Sequence, residues 1–335
     1  MGADRRAGPR LPEQRLLGPD AAPIRIGVSA CLLGREVRWD GGHRRDSFLV
    51  DELGPYVAWV PVCPEVELGM GVPRETVRLV ARGGGVRLLA ERGGVDHSDA
   101  MRAWARRRLR ELAALELSGY VLKKDSPSCG LERVPVWNAS GRPERRGRGV
   151  FAEALLEACE ALPVEDEDRL RDARLRENWI ERIFAYRRLR SFFDGPWTPR
   201  RLAAFHAAHE LQLRAHAPAA HRALGRLVAR AGSLPRAAAR RTYELGFMAA
   251  LRRPASAARH VEVLKRAVAR FRGRLDPAGR RALLASIDDY RAGRVPLVVP
   301  IALVRHHVTR LALDELAGQV YLQPHAMELM LRNRV

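Results

Sequence analysis

Short apolar runs alternate with amphipathic stretches over the first half of the chain. Between residues 24 and 162, Gly, Pro or charged residues bound the runs IRIGVSACLL, YVAWVPVC, GVRLLAE and GYVLKK. Runs of this length and with these boundaries are typical of buried strands. HSDAMRAWARRRLRELAALELSG and FAEALLEACEAL instead repeat apolar residues at helical spacing. Strands separated by helical crossovers predict an α/β domain with a mostly parallel sheet.

Beyond residue 163 the strand pattern gives way to helical patterns. DEDRLRDARLRENWIERIFAYRRLRSFF predicts one long helix or a broken pair. Thr198 precedes a proline and is a predicted N-cap, because a hydroxyl satisfies free N–H groups and proline suits the first turn. Ser256 and Asp276 are predicted N-caps, and Gly293 is a predicted helix end. The fold class expected is therefore an α/β N-terminal domain followed by an all-α C-terminal domain.

These patterns divide the chain into three segments. Residues 1–22 are basic and lack the apolar core of a signal peptide, so we expect a flexible arm and a cytoplasmic location. Residues 23–172 are expected to form the α/β domain, and residues 173–335 the helical domain. No apolar run approaches the roughly 20 residues that a bilayer crossing needs, so we expect no membrane partner.

The charge balance favours a polyanionic partner. The chain has 59 Lys and Arg residues against 39 Asp and Glu, a formal net charge of +20. Basic residues that neutralise phosphates release counterions, and Arg binds phosphate through two parallel hydrogen bonds, so RNA or DNA is favoured over a neutral metabolite. A solvated basic surface without a partner is the alternative.

Three of the four cysteines follow predicted strands. Cys31 ends the first strand, Cys63 ends the second, and Cys129 follows the fourth. Since the carboxyl ends of parallel strands share one sheet edge, we expect these thiols to meet there. Three thiolates leave one position of a metal centre open, as catalysis requires. The spacing of the cysteines alone is equally compatible with buried, inert residues. Cys159 lies on an apolar helical face and is interpreted as a core residue.

The segments around these cysteines resemble the thiouracil desulfidase family. They are IGVSACLLGREVRWDGGHRRD, PVCPEVELGMGVPRE and LKKDSPSCG, and the resemblance covers residues 24–172. The helical segment resembles the YbgA-like domain in ENWIERIFAYRRL, FHAAHELQLRAH, ALGRLVA, HVEVLKRAVARF, PLVVPIALVRHH and YLQPHAMELMLRN. It departs from that pattern at Glu210, where a basic residue is usual. The combination is similar to bacterial desulfidases that convert 4-thiouridine in transfer RNA to uridine.

The resemblance implies a cofactor and a reaction. A 4Fe–4S cluster would be bound by Cys31, Cys63 and Cys129, and its fourth iron, with no protein ligand, would take the sulfur of the thiocarbonyl. The helical domain would bind tRNA. The expected reaction is a hydrolytic, non-redox desulfuration of 4-thiouridine to uridine with release of hydrosulfide.

That chemistry needs a base for the attacking water and a proton for the ring nitrogen. Glu65, two residues after Cys63, and Ser126, three before Cys129, are the candidates. Glu67 is an alternative to Glu65. The structural alternatives are that Glu65 is an ordinary loop carboxylate and that the Ser126 hydroxyl caps a turn.

Five further residues are candidate substrate contacts. They are Asp40, His43, Lys123, Lys124 and Ser128. The lysines would bind a phosphate or stabilise developing charge beside the cluster, and Asp40 and His43 would orient the substrate. The alternatives are that the two lysines are solvated residues at the end of a strand and that Asp40 and His43 belong to an ordinary loop.

Two other functions are compatible with these residues. The first is desulfuration of free thiouracil or another small thionated base, with the helical domain serving only as structure. The second is a non-enzymatic nucleic-acid-binding protein in which the three cysteines hold a structural zinc.

Overall fold

A computed structural model describes residues 23–271 and 273–324 of the chain. The predicted basic arm, residues 1–22, and the end of the YLQPHAMELMLRN motif lie outside the described residues. The chain divides into two compact units, one spanning Pro23–Asp172 and the other beginning at Ala173. None of the helices in the described ranges combines the length and apolarity that a membrane crossing requires.

The first unit contains both strands and helices. Its strands are β1 (Ile24–Ser29), β2 (Val57–Val62), β3 (Val77–Arg82), β4 (Gly85–Ala90), β5 (Gly119–Leu122), β6 (Val134–Trp137), β7 (Pro143–Gly147) and β8 (Val164–Asp166). Its helices are α1 (Pro64–Glu67), α2 (Ser98–Ala114) and α3 (Val150–Ala158).

A fully parallel sheet forms the centre of this unit. Its strand order is β2-β1-β5-β8, and Ile26 of β1 lies opposite Gly119 of β5. Ile26, Val28 and Tyr120 are fully buried, so the apolar runs of the sequence supply the core. The predicted α/β domain with a parallel sheet is confirmed.

A second, mixed sheet accompanies the first. Its order is β4-β3-β6-β7, and the β3–β4 and β6–β7 pairs are antiparallel. GVRLLAE is a strand, as predicted, but it belongs to this sheet rather than to the parallel one. The reason lies in the turn before it, where Gly83 and Gly84 have φ of 59° and 75°. Two positive φ angles in a two-residue connection turn the chain back into an antiparallel hairpin.

The second unit is helical throughout its described residues. Its helices are α4 (Ala173–Asp194), α5 (Pro199–Ala208), α6 (Glu210–His216), α7 (Pro218–Ala229), α8 (Arg236–Leu251), α9 (Ala257–Ala269), α10 (Pro277–Arg291), α11 (Val298–Arg310) and α12 (Asp314–Ala317). The segment predicted as one long helix or a broken pair forms a single helix, α4, but only from Ala173, because Asp166 ends β8 and Arg169–Arg171 forms a separate short turn. The all-α expectation is confirmed.

The predicted helix ends of this unit are present. Thr198, Ser256 and Asp276 each accept a hydrogen bond from a backbone N–H of the first helical turn, at 3.2, 3.4 and 2.8 Å. Gly293 has φ of 72° just after α10, a left-handed conformation that glycine adopts without strain. Local capping chemistry thus sets these boundaries.

Candidate functional site

A cavity of about 400 Å³ lies in the first unit and is lined by all three strand-end cysteines. Cys31 lies in a short helical turn, Ala30–Leu33, directly after β1, and Cys63 lies between β2 and α1. Cys129 lies in the loop that follows β5. Because β1 is the parallel neighbour of both β2 and β5, the three strand ends share one edge, and their loops bring the thiols to one cavity.

The loop that carries Cys129 is held by Ser126. The Ser126 hydroxyl accepts hydrogen bonds from the N–H groups of Ser128 and Cys129, at 3.2 and 3.0 Å. A hydroxyl has two acceptor lone pairs and one proton to donate. Both lone pairs of Ser126 are therefore engaged in the turn, and the O–H remains available as a donor at the cavity wall.

Gly149 allows this loop to dock against α3. The N–H groups of Val150 and Phe151 donate to the carbonyls of Pro127 and Ser128, at 3.1 and 3.0 Å. A Cβ on Gly149 would lie 2.5 Å from the Ser128 carbonyl and 2.7 Å from the Cys129 nitrogen. Sequence reasoning missed this residue, and its only signal was a glycine just before an apolar helix.

The cavity disfavours isolated thiolates. Burial raises the pKa of Cys31 to about 11, and repulsion from Cys63 adds to this shift. Burial likewise raises the pKa of Cys63 and of Cys129, and the pKa of Cys129 is raised further by Cys63 and Cys31. These thiols are close enough to interact electrostatically. A bound metal would offset the free-energy cost of burying their thiolate forms.

The donor set fits a multi-iron cluster. A closed structural zinc site needs four ligands around a single ion. Throughout residues 23–271 and 273–324, no three His, Cys, Asp or Glu side chains are placed to hold one metal ion. Cysteines of an iron–sulfur cluster can bind different irons, so three thiols spread around one cavity suit that group.

Glu65 lies at the cavity wall in a fixed orientation. Its Oε2 accepts from Nε and Nη2 of Arg74, at 2.9 and 2.6 Å, and its Oε1 accepts from the Ser128 hydroxyl at 2.8 Å. The Arg74 side chain is only 5% exposed and also donates to the carbonyl of Val37. Ser128 therefore contacts Glu65 rather than lining the cavity. Arg74 was missed, because nothing in its spacing separates it from the other arginines.

The side chain of Glu67, the alternative to Glu65, binds other groups of the protein. Its Oε1 accepts from the backbone N–H of Cys63 at 3.2 Å, and its Oε2 lies 3.0 Å from Nε of Arg108. Unlike Glu65, Glu67 does not line the cavity. The geometry therefore favours Glu65 as the carboxylate available to a substrate.

Lys123 and Lys124 both line the cavity, and both are paired with acids. The Lys123 ammonium forms an ion pair with Glu167, and the Lys124 ammonium forms one with Asp168. The hydrogen bond to Asp168 raises the pKa of Lys124. Neither lysine thus presents an uncompensated charge.

Asp40 and His43 do not line the cavity. Asp40 accepts from the Gly42 N–H at 3.0 Å, which lowers its pKa, and Nδ1 of His43 accepts from the Arg45 N–H at 3.2 Å. Both side chains thus stabilise their own loop. Sequence neighbours line the cavity instead, and they are Arg38, Trp39 and Arg44.

Family models match both units of the chain. Residues 26–167 match the model described as 2-thiouracil desulfurase. Residues 210–326 match the model described as protein of unknown function, DUF1722. The second unit is thus similar to the DUF1722, or YbgA-like, domain over the matched residues.

Individual relatives each correspond to less than half of the chain. The uncharacterized protein YbbK of Bacillus subtilis (strain 168) is 31% identical over 150 residues, which are 42% of this chain and 96% of that protein. The uncharacterized protein YbgA of Escherichia coli (strain K12) is 28% identical over 151 residues, 45% of this chain and 89% of that protein. A solved structure, the [4Fe-4S]-dependent thiouracil desulfidase TudS, is 32% identical, covers 44% of this chain and 94% of its own, and has a TM-score of 0.37.

Proposed function

Because the chain belongs to the 2-thiouracil desulfurase family through residues 26–167, we propose that it is an iron–sulfur-dependent desulfidase acting on tRNA. It converts 4-thiouridine to uridine and releases hydrosulfide. The observation that carries this proposal is the presence of Cys31, Cys63 and Cys129 around one cavity beside Glu65. The net charge of +20 and the attached helical domain support a nucleic-acid substrate over a neutral base.

The three thiols would hold a 4Fe–4S cluster with one iron free of protein ligands. When bound, that group supplies a soft, electron-poor iron that polarises the carbon–sulfur bond of the substrate. The residues of the chain then have to position water, move its proton and exclude bulk solvent.

Glu65 is the proposed general base. A carboxylate offers about four acceptor sites, and Arg74 and Ser128 occupy three of those on Glu65. The remaining site can accept a proton from a water in the cavity. That water forms the new carbon–oxygen bond as the carbon–sulfur bond breaks, so one water is consumed, hydrosulfide and a proton are released, and no electrons are exchanged.

Ser126 is the proposed donor to the ring nitrogen. Because its lone pairs accept from backbone N–H groups, its O–H can only donate. A fixed donor favours the negative charge that develops on the ring nitrogen during attack. Lys123 would add a positive field at the same wall, although its pairing with Glu167 reduces that effect.

Anaerobic reconstitution followed by nucleoside analysis of tRNA tests the proposal. The reconstituted protein should show the broad visible absorbance of an iron–sulfur cluster and should deplete 4-thiouridine while uridine increases. Replacing Cys31, Cys63 or Cys129 by Ala should abolish both properties. Cys159→Ala is the matched control, because Cys159 lies at the end of α3 and outside the cavity. A colourless protein with stoichiometric zinc, or an unchanged nucleoside profile, would overturn the proposal.

A free thionated base is the second candidate substrate. A cavity of about 400 Å³ has room for a single pyrimidine, and the matching family model is named for thiouracil. Comparing kcat/KM for 4-thiouracil and for thiolated tRNA decides between the two. A higher value for the free base would assign the small-molecule reaction.

A further inference from the structure

Tyr120 of β5 is a buried polar residue that the proposed chemistry does not use. Its side chain is 0% exposed, and its hydroxyl has no hydrogen-bond partner among residues 23–271 and 273–324. A buried hydroxyl without a partner is unfavourable, and native structures keep few such groups unless a ligand or a function requires them. The hydroxyl of Tyr120 therefore needs an acceptor that the polypeptide alone does not supply.

The ring of Tyr120 lies across the neighbouring strand, β1. Gly27 of β1 is opposite Tyr120 in the strand register, and a Cβ on Gly27 would come within 2.2 Å of both Cδ2 and Cε2 of the ring. On another side the ring packs against Phe151 of α3, with 5.8 Å between the ring centroids. A ring confined in this way holds its hydroxyl in one position.

The charged groups that act on this hydroxyl belong to the cysteine site. Burial raises the pKa of Tyr120 well above its usual value, and the next largest causes are the negative charges of Cys129 and Glu67. Cys63 acts in the same direction, whereas Arg108 opposes it. Tyr120 does not line the cavity, so it approaches the cysteines from the interior of the protein.

A cysteine becomes a much better hydrogen-bond acceptor when it binds metal. A thiol sulfur accepts weakly, whereas the deprotonated sulfur of a metal ligand carries negative charge and accepts a strong, charge-assisted bond. The carboxylate of Glu67 is already engaged, because its Oε1 accepts from the Cys63 N–H and its Oε2 lies 3.0 Å from Nε of Arg108. Cys129 is therefore the acceptor that fits the Tyr120 hydroxyl.

We propose that Tyr120 is a positioning residue of the cluster site, whose hydroxyl donates a hydrogen bond to the metal-bound sulfur of Cys129. Such a bond withdraws negative charge from the ligand, so the bound iron becomes more electron-poor and the reduced form of the cluster is stabilised. This inference rests on the proposed function, because it needs the cluster. It adds a residue that acts on the reaction through Cys129 without touching the substrate.

Tyr120→Phe tests the proposal, because it removes only the hydroxyl. In a redox titration of the anaerobically reconstituted full-length protein, the ratio of reduced to oxidised cluster at a given potential should fall about tenfold. For a one-electron couple this is a midpoint potential about 59 mV lower. Iron loss to a chelator should be about tenfold faster, and kcat should fall by about the same factor. The cluster-free variant should melt no lower than the cluster-free wild type, because the hydroxyl that it lacks had no partner.

Two other tyrosines provide matched controls. Tyr56→Phe removes an exposed hydroxyl outside the cavity. Tyr243→Phe removes a buried hydroxyl that is paired with Nδ1 of His206 at 3.1 Å. Tyr56→Phe should change neither the potential nor the melting temperature, and Tyr243→Phe should lower the melting temperature without moving the potential.

Two results would overturn the assignment of Tyr120. One is a midpoint potential and a rate of iron loss in Tyr120→Phe that equal those of the wild type. The other is a cluster-free Tyr120→Phe that melts below the wild type, as Tyr243→Phe should, because the hydroxyl would then have a structural partner. A wild type that assembles no iron–sulfur cluster would overturn the proposed function as well, whereas an assembled cluster that is insensitive to Tyr120→Phe would overturn this assignment alone.

Discussion

Several side chains around the cavity hold other protein groups in place, and one of them, Ser126, is also the proposed donor to the substrate. Arg74 and Ser128 hold Glu65, Glu67 holds the backbone of Cys63, and Ser126 holds the Cys129 turn. Each of these bonds fixes a group that the proposed chemistry needs in place. Substitutions should therefore separate residues that touch the substrate, which change kcat or KM directly, from positioning residues, which act through their partners.

Glu65→Gln tests the proposed base. The amide keeps the size of the side chain but cannot take a proton from water, so kcat should fall by about 10²–10⁴-fold. The visible absorbance of the cluster should be unchanged, since Glu65 is not a proposed ligand. Glu111→Gln is the control, because Glu111 pairs with Arg108 on the exposed face of α2. Retention of most of kcat in Glu65→Gln would assign the proton transfer to another group.

Gly149→Ala tests whether α3 positions the Cys129 loop. The added Cβ would meet backbone atoms of Ser128 and Cys129, which cannot rotate away as a flexible side chain does. Overpacking of this kind costs about 1–3 kcal/mol, so we expect a lower melting temperature and reduced iron content after reconstitution. Gly85→Ala is the control, because its Cβ would meet no atom within 4 Å. Equal iron content in the two variants would contradict the positioning role.

At the scale of elements, local sequence predicts strands more readily than it predicts their partners. The apolar runs of β1 and β5 identify them, because every residue of these strands except Arg25 is buried, whereas the edge strand β2 has an apolar run that is mostly half-buried. The run of β4 identified a strand, yet its sheet depends on the Gly83-Gly84 turn. β7, with the sequence PERRG and four exposed residues, has no apolar pattern and is a strand only because it pairs with β6.

The residues of the candidate site were likewise predictable where local sequence and topology fix their position, and not where tertiary contacts do. The cysteines were predictable because the position of a residue at the end of a parallel strand is fixed by topology. Asp40 and His43 were assigned from the same loop as Trp39 and Arg44, but side-chain direction in a turn depends on its backbone conformation, which composition does not determine. The partners of Glu65 required the tertiary structure, because Arg74 and Ser128 come from separate loops.

The junction of α5 and α6 should be sensitive to acid. Burial lowers the pKa of His209 to about 3 and that of His206 to about 4. Both must gain a proton on unfolding below about pH 6.5, the value of an unperturbed His, so stability should fall as pH decreases from 6.5 towards 4. Hydrogen exchange of α5 and α6 amides across this range should show the loss. His209→Gln should make the dependence shallower, and an unchanged slope would contradict it.

His216 should act in the opposite direction and in a different pH range. Burial opposes its charged form, but the attraction and hydrogen bond of Glu181 prevail and raise its pKa. The stabilisation from this pair is complete below about pH 6.5 and is lost as pH rises through the raised value. The protection factors of the α6 amides, which are corrected for the intrinsic pH dependence of exchange, should therefore fall above pH 6.5 in the wild type. His216→Gln should remove that fall, and its persistence would show that another group titrates there.

At the scale of the whole molecule, the excess of positive charge sets how the proposed RNA substrate is captured. A protein of net charge +20 that contacts several phosphates releases condensed counterions on binding, so affinity falls steeply as salt rises. We expect kcat/KM for thiolated tRNA to fall at least about tenfold between about 50 and 200 mM salt, because several phosphate contacts act together. The value for 4-thiouracil should stay nearly constant over the same series, since a neutral base displaces no counterions. If the two substrates showed the same slope, the charge would serve the solubility of the protein and not the recognition of RNA.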